Sequence, residues 1–155
     1  MTTRLSQFKP APMQRIVETI LRAHGLPQAF AEATEFHLKL ENAPYMPLVI
    51  ERQGDVVAVM HYFIQQGDVM RDPEVEFGLP HWTPTSITQH PVGIYREVST
   101  FANDRHVLNT RLLRELEAFA RLWAMNLRAQ GFTDPARVKA TSLTHAHLLL
   151  GKVAT

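Results

Sequence analysis

The chain has 155 residues, 45% of them hydrophobic and 20% charged, with a formal net charge of +1 and no cysteine. That length supports one domain with a real core, and the near-neutral balance excludes both a global basic footprint for nucleic acid and the strong acidity of a DNA mimic. Without cysteine there is no disulfide, thiolate chemistry or cysteine-ligated zinc.

No apolar run approaches ~20 residues, so no transmembrane helix and no membrane partner are expected. The opening MTTRLSQFKPAPM lacks the apolar core of a signal peptide. The bacterial cytoplasm is the expected location. Charge is unevenly spread. Residues 41–76 hold seven acidic groups against Arg52 and Arg71, whereas residues 91–155 hold nine Lys and Arg against five acids.

Residues 1–11 read as a flexible arm. Pro12 suits a first helical turn, and Met13, Ile16, Val17, Ile20 and Leu21 then follow at helical spacing up to a stop at Gly25. Residues 27–35 suggest a short second helix or a turn. Phe36, Leu38 and Leu40 alternate with His37, Lys39 and Glu41, which predicts a half-buried strand.

From Leu48 to Phe77, apolar β-formers are cut twice by the same tripeptide, Gln53-Gly54-Asp55 and Gln66-Gly67-Asp68. Glycine supplies positive φ and aspartate tolerates turns, so three consecutive antiparallel strands are predicted. The middle one, residues 56–66, is apolar on both faces: Val57, Val59, His61 and Phe63 point one way, and Val56, Ala58, Met60, Tyr62 and Ile64 the other. It should be central and covered on both sides. Asp72-Pro73 predicts a bulge or an edge in the third strand.

Residues 80–91 hold three prolines and read as a loop with a short strand at 85–89. Gly93 to Phe101 reads as another strand, turned at Ala102-Asn103-Asp104. Residues 110–130 are the clearest helix, with an apolar stripe of Leu112, Leu116, Phe119, Ala120, Trp123 and Leu127, Asn109 as N-cap, and a Gly131-Phe132 end. Residues 133–155 read as a C-terminal tail in which LTHAHLLL suggests a short helix. The expected architecture is α+β: one domain over residues 12–132, an antiparallel β-meander packed against an N-terminal helix and a long C-terminal helix.

The series FHLKLENAPYMPLVIERQGD, HYFIQQGDVMRDPEVEF, Trp82-Thr83-Pro84 and FARLWAMNLRAQGF resembles an uncharacterised-domain family met in proteobacterial plasmids, integrative elements and prophages. The likeness covers roughly residues 26–132. It implies a gene of mobile DNA and no assigned activity.

Three groups of residues are candidates for function. Asp68, Asp72, Glu74 and Glu76 are hard oxygen donors suited to Mg²⁺ or Mn²⁺, but no lysine lies beside them, and turn and edge roles account for them more simply. His61 with His81 or His90 would form a metal or general-base site if the Pro-rich loop folded over it; a hydrogen-bonded structural histidine is the simpler account. His145-x-His147 is a weak pair, since in a helix the two would not face alike. Neither a nucleophile elbow nor a phosphate-binding glycine pattern occurs, so no catalytic residue, metal or cofactor is expected.

A basic stripe on the last helix is the second group: Arg114, Arg121 and Arg128 fall within roughly 40° of one another, and Arg111 extends that side. Tyr45, Trp82 and Tyr95 are the third, as aromatic anchors for a partner. Together with the resemblance, these residues point to a non-enzymatic binding protein of mobile DNA that meets a host or defence-system protein through Tyr45, Trp82, Arg111, Arg114, Arg121 and Arg128. Its concrete version is an anti-CRISPR or anti-restriction inhibitor. A nucleic-acid-binding accessory and a metal-dependent hydrolase are the alternatives. Two helices cover only one face of such a meander, so a homodimer is expected to cover the other.

Overall fold

The computed structural model describes residues 9–143. The expected arm over residues 1–8 and the expected helix and histidine pair of LTHAHLLL lie outside that range. Two helices open the chain, α1 (Pro12–Ala23) and α2 (Pro27–Glu32). Strands β1 (Glu35–Glu41), β2 (Leu48–Gln53), β3 (Val56–Gln65), β4 (Asp68–Gly78), β5 (Thr83–Gln89) and β6 (Ile94–Glu97) follow. A hairpin of β7 (Ser99–Ala102) and β8 (Arg105–Leu108) leads into α3 (Thr110–Ala129), and β9 (Lys139–Leu143) comes last.

Seven strands form one antiparallel sheet in the order β6-β5-β4-β3-β2-β1-β9. The fold is therefore α+β, with β3 at the centre of the sheet as its composition predicts. The repeated turns form where expected, with Gly54 at φ 58° and Gly67 at φ 84°, the left-handed region that a residue with a Cβ enters at a cost. The predicted irregularity at Asp72-Pro73 is a bulge. Met60 pairs with Glu74 and Tyr62 with Arg71, so His61 faces two residues where one would fit a regular ladder.

The helices cover one face. Met13, Ile16, Val17, Ile20 and Leu21 of α1 and Leu112, Leu116, Ala120, Trp123, Ala124 and Leu127 of α3 share one core with Leu38, Ile50, Val59 and Val75 of the sheet. Phe119 is only half-buried. Asn109 Oδ1 accepts the Leu112 N–H at 3.0 Å and caps α3. At the other end Phe132 N–H reaches Leu127 O and Gly131 N–H reaches Arg128 O, and the fully buried Phe132 ring packs back beneath the helix. This is the Schellman arrangement that Gly131-Phe132 predicts.

On the opposite face the described residues supply no covering helix. The row Lys39–Val49–Met60–Glu74 crosses four strands, and the next row runs His37–Glu51–Ala58–Glu76–Ser86–Glu97. Val49 and Met60 are nevertheless buried, and on the same face Lys39 Nζ sits 5.6 Å from the Tyr62 ring centre. The bare apolar surface that motivated a homodimer is thus a polar, acid-rich one.

Two further differences concern chain not expected in the sheet. The segment 139–143, read as part of a tail, pairs with β1. The strand read over 93–101 breaks at Val98, whose N–H bonds Thr85 O, and the chain then forms the exposed β7–β8 hairpin.

Candidate functional site

Most of the stretches that carry the family resemblance meet around the C-terminal half of α3. The loop between β1 and β2 is tied there by Asn42, which is buried. Its Nδ2 donates to Gln130 O at 2.8 Å, satisfying an orphan carbonyl at the helix end, and its Oδ1 accepts from Arg137 Nε at 3.0 Å. Tyr45 then lies over Phe132 with ring centres 6.3 Å apart.

His61 is the buried polar residue beneath this loop. Trp123 Nε1–H donates to His61 Nε2 at 3.0 Å, and His61 Nδ1 lies 3.2 Å from both Met46 O and Pro47 O. An indole only donates and a carbonyl only accepts, so Nε2 is the bare nitrogen and Nδ1 carries the proton. Burial lowers the imidazole pKa, with the two carbonyls and Asp72 opposing that shift. The ring is neutral and both nitrogens are committed, so it is a structural histidine. His90 Nδ1 instead accepts the Arg71 backbone N–H, and His81 lines a cavity beside Trp82. Among the described residues no group of three or more His, Asp or Glu is placed to hold a metal.

Beside His61 opens a cleft of about 260 Å³. Tyr45 and Met46 form one wall, Phe119 and Trp123 another, and Asp72 and Pro73 of the bulge close its end. On the other flank of α3 a second groove, about 430 Å³, runs against α1. Ile16 and Ala124 line its floor, and Arg15, Arg121 and Arg128 surround it. Among the described residues none of these three arginines makes a salt bridge. Leu122 and Met125 stand between cleft and groove, 57% and 63% exposed, so the ridge itself is apolar.

The expected partner residues therefore divide. Tyr45 lines the cleft, and Arg121 and Arg128 line the groove. Arg114 is exposed on the outer side of α3, and Arg111 is held by Glu115 at 3.2 Å, a carboxylate that Arg96 also approaches at 3.7 Å. Trp82 is a correction. It is 4% exposed, with its ring 5.7 Å from Phe77 and 6.4 Å from Phe30, because the Pro-rich loop turns inward over the core. Tyr95 is exposed on β6, away from both depressions. Arg15 is the residue that sequence reasoning missed; its position just before Ile16, on the flank of the apolar stripe of α1, was the available signal.

The acidic residues of β4 do not converge as one ligand set. Asp68 sits exposed beside the second turn, Asp72 lines the cleft, and Glu74 and Glu76 lie on the helix-free face. There Glu51 joins them from β2 around Ala58, and Arg71 Nη1 lies 2.8 Å from Glu74 Oε2. Burial raises the pKa of Glu74 and of Glu51, with Arg71 opposing each shift.

A family model described as a domain of unknown function, DUF6908, matches residues 15–133. No curated protein and no solved structure matches the chain.

Proposed function

The chain belongs to a domain family with no assigned activity, and we propose that it is a non-enzymatic binding protein that docks an acidic protein surface along α3. One observation carries this reading: arginines from two helices surround an apolar groove, and none of them makes a salt bridge among the described residues. Three exposed guanidinium groups around one depression give it a positive potential that favours an anionic partner surface. The adjoining ridge of Leu122 and Met125 supplies apolar area, and arginine and methionine are types enriched where proteins meet.

The counter-defence role is the concrete form of this proposal. Its support is the resemblance to proteins of mobile DNA, and the partner would be a host defence protein, occluded by contact. Nucleic acid is the competing anion. A bare phosphate backbone would use the arginines but not the apolar ridge between groove and cleft.

The test is capture from bacterial lysate by tagged protein, with and without nuclease, beside the variant Arg121→Glu/Arg128→Glu. A protein captured by the wild type, retained after nuclease and lost in the variant is the expected result. Capture that disappears with nuclease would transfer the site to nucleic acid. Equal capture by the variant would remove the groove from the account.

A further inference from the structure

We propose that the cleft between the β1–β2 loop, the β3–β4 bulge and α3 binds an organic cation, a guanidinium or alkylammonium group on a hydrocarbon stem. This goes beyond the arginine groove and does not depend on it, since the two lie on opposite flanks of α3.

The argument begins with Asp72. Its carboxylate lines the cleft, and among the described residues it has no hydrogen bond and no salt bridge. The two cations that might have served it are unavailable. Arg71, its neighbour in the chain, lies against Glu74 at 2.8 Å on the other face of the sheet. His61, across the bulge, is neutral, with one nitrogen spent on Trp123 and the other on the carbonyls of residues 46 and 47. An unpaired carboxylate at the cleft gives it a negative potential that favours a ligand of opposite sign.

The walls narrow the chemistry further. Tyr45, Phe119 and Trp123 bring three aromatic rings to the same cleft, and Met46 and Leu122 add apolar surface. Aromatic faces attract cations and disfavour anions, and the hydrocarbon stem of a cation packs on the remaining surface. A neutral apolar ligand would fill the volume and leave Asp72 stripped of water with no partner. An anion would meet Asp72 directly. An organic cation satisfies both the carboxylate and the rings. The side-chain amides of Asn126 and Gln130 at the rim add carbonyl acceptors for its N–H groups.

The source of the cation is either an arginine or lysine side chain of a bound protein or a free amine, and the assay separates the two. The reporter is the Trp123 indole N–H in a proton–nitrogen correlation spectrum, because that group donates to His61 at the cleft floor. Trp82, packed on Phe30 and Phe77 elsewhere, is the internal control. Acetyl-arginine methylamide should shift the Trp123 signal saturably in the millimolar range, as expected of a fragment-sized ligand. The citrulline counterpart, neutral and of the same shape, should not. A parallel response to putrescine assigns the cleft to alkyl cations in general; its absence assigns it to protein side chains.

Asp72→Asn, isosteric but uncharged, should weaken binding at least about tenfold. Tyr45→Leu keeps the carboxylate and removes one ring, should weaken binding by a smaller factor, and decides the matter if the first variant does not fold. No saturable shift of Trp123, or an equal shift with citrulline, overturns the proposal.

Discussion

The two faces of the one sheet bury residues in different ways. On the helix side the row Leu38–Ile50–Val59–Val75–Ile87 is covered by a packed layer of α1 and α3. On the other side Val49 and Met60 reach 4% and 5% exposure although, among the described residues, no helix lies above them. Apolar content alone therefore does not say that a partner element exists. The stems of long polar side chains also cover apolar surface, so a strand apolar on both faces does not require a second packed layer.

The largest test of this contrast compares two residues of near-equal exposure, Trp123 at 6% and Met60 at 5%. Trp123→Ala removes an indole from a packed interior and strips His61 of its donor, so a loss of about 3–5 kcal/mol is expected. Met60→Ala leaves a gap that flexible neighbours collapse into, so about 2 kcal/mol, the low end for such a change, is expected. Urea unfolding of both variants checks the order. Equal losses would mean that the helix-free face is as tightly packed as the core.

The same faces also hold titratable groups with opposite linkage. His61 has a lowered pKa, chiefly through burial. Below its unfolded value of about 6.5 the unfolded chain binds the extra proton first. Its contribution is complete above that pH and is lost as pH falls through it toward the folded pKa. His61→Gln, which loses part of the hydrogen-bond set, should cost about 1–3 kcal/mol at neutral pH and flatten the slope just below pH 6.5. An unchanged slope would show that His61 titrates normally.

Glu74 and Glu51 are raised, again chiefly by burial. Above the ordinary carboxylate value of 4.5 the folded state holds the proton longer than the unfolded chain. Stability therefore declines as pH rises from there through the folded pKa. Glu74→Gln should flatten that decline while shifting neutral-pH stability by no more than about 1 kcal/mol. A steeper decline in the variant would contradict the assignment. The 3.3 Å contact of His37 with Glu51 fits the same pattern. Burial disfavours the charged form of each, so it is not counted as a stabilising ion pair.

The smallest expected effect is on association. Two copies meeting through the helix-free face would bring Glu51, Glu74 and Glu76 of one against the same residues of the other. Light scattering on a gel-filtration column should therefore give a monomer mass at micromolar concentration. A dimer that Glu76→Lys abolishes would restore the association expected from the sequence.

Much of the fold was legible because its signals are local. The repeated QGD turns, the Asn109 cap and the Gly131-Phe132 end each follow from neighbouring residues. What was not legible depends on distant pairing. The segment KATSL has no strong alternation and becomes a strand because β1 offers an open edge. Trp82 looked like a surface anchor because a Pro-rich loop does not announce that it turns inward. The cleft needs the bulge to set Asp72 near His61, and the groove needs α1 to bring Arg15 beside Arg121 and Arg128.

The central claim is that the α3 side is the working surface and the acidic sheet face is not. Two double charge reversals, Arg121→Glu/Arg128→Glu on the helix side and Glu51→Lys/Glu76→Lys on the sheet side, test it in one capture assay against a nuclease-treated lysate, with circular dichroism confirming that both variants fold. The account predicts that the captured protein is lost only with the arginine pair. Loss with the glutamate pair, and retention with the arginine pair, would contradict it.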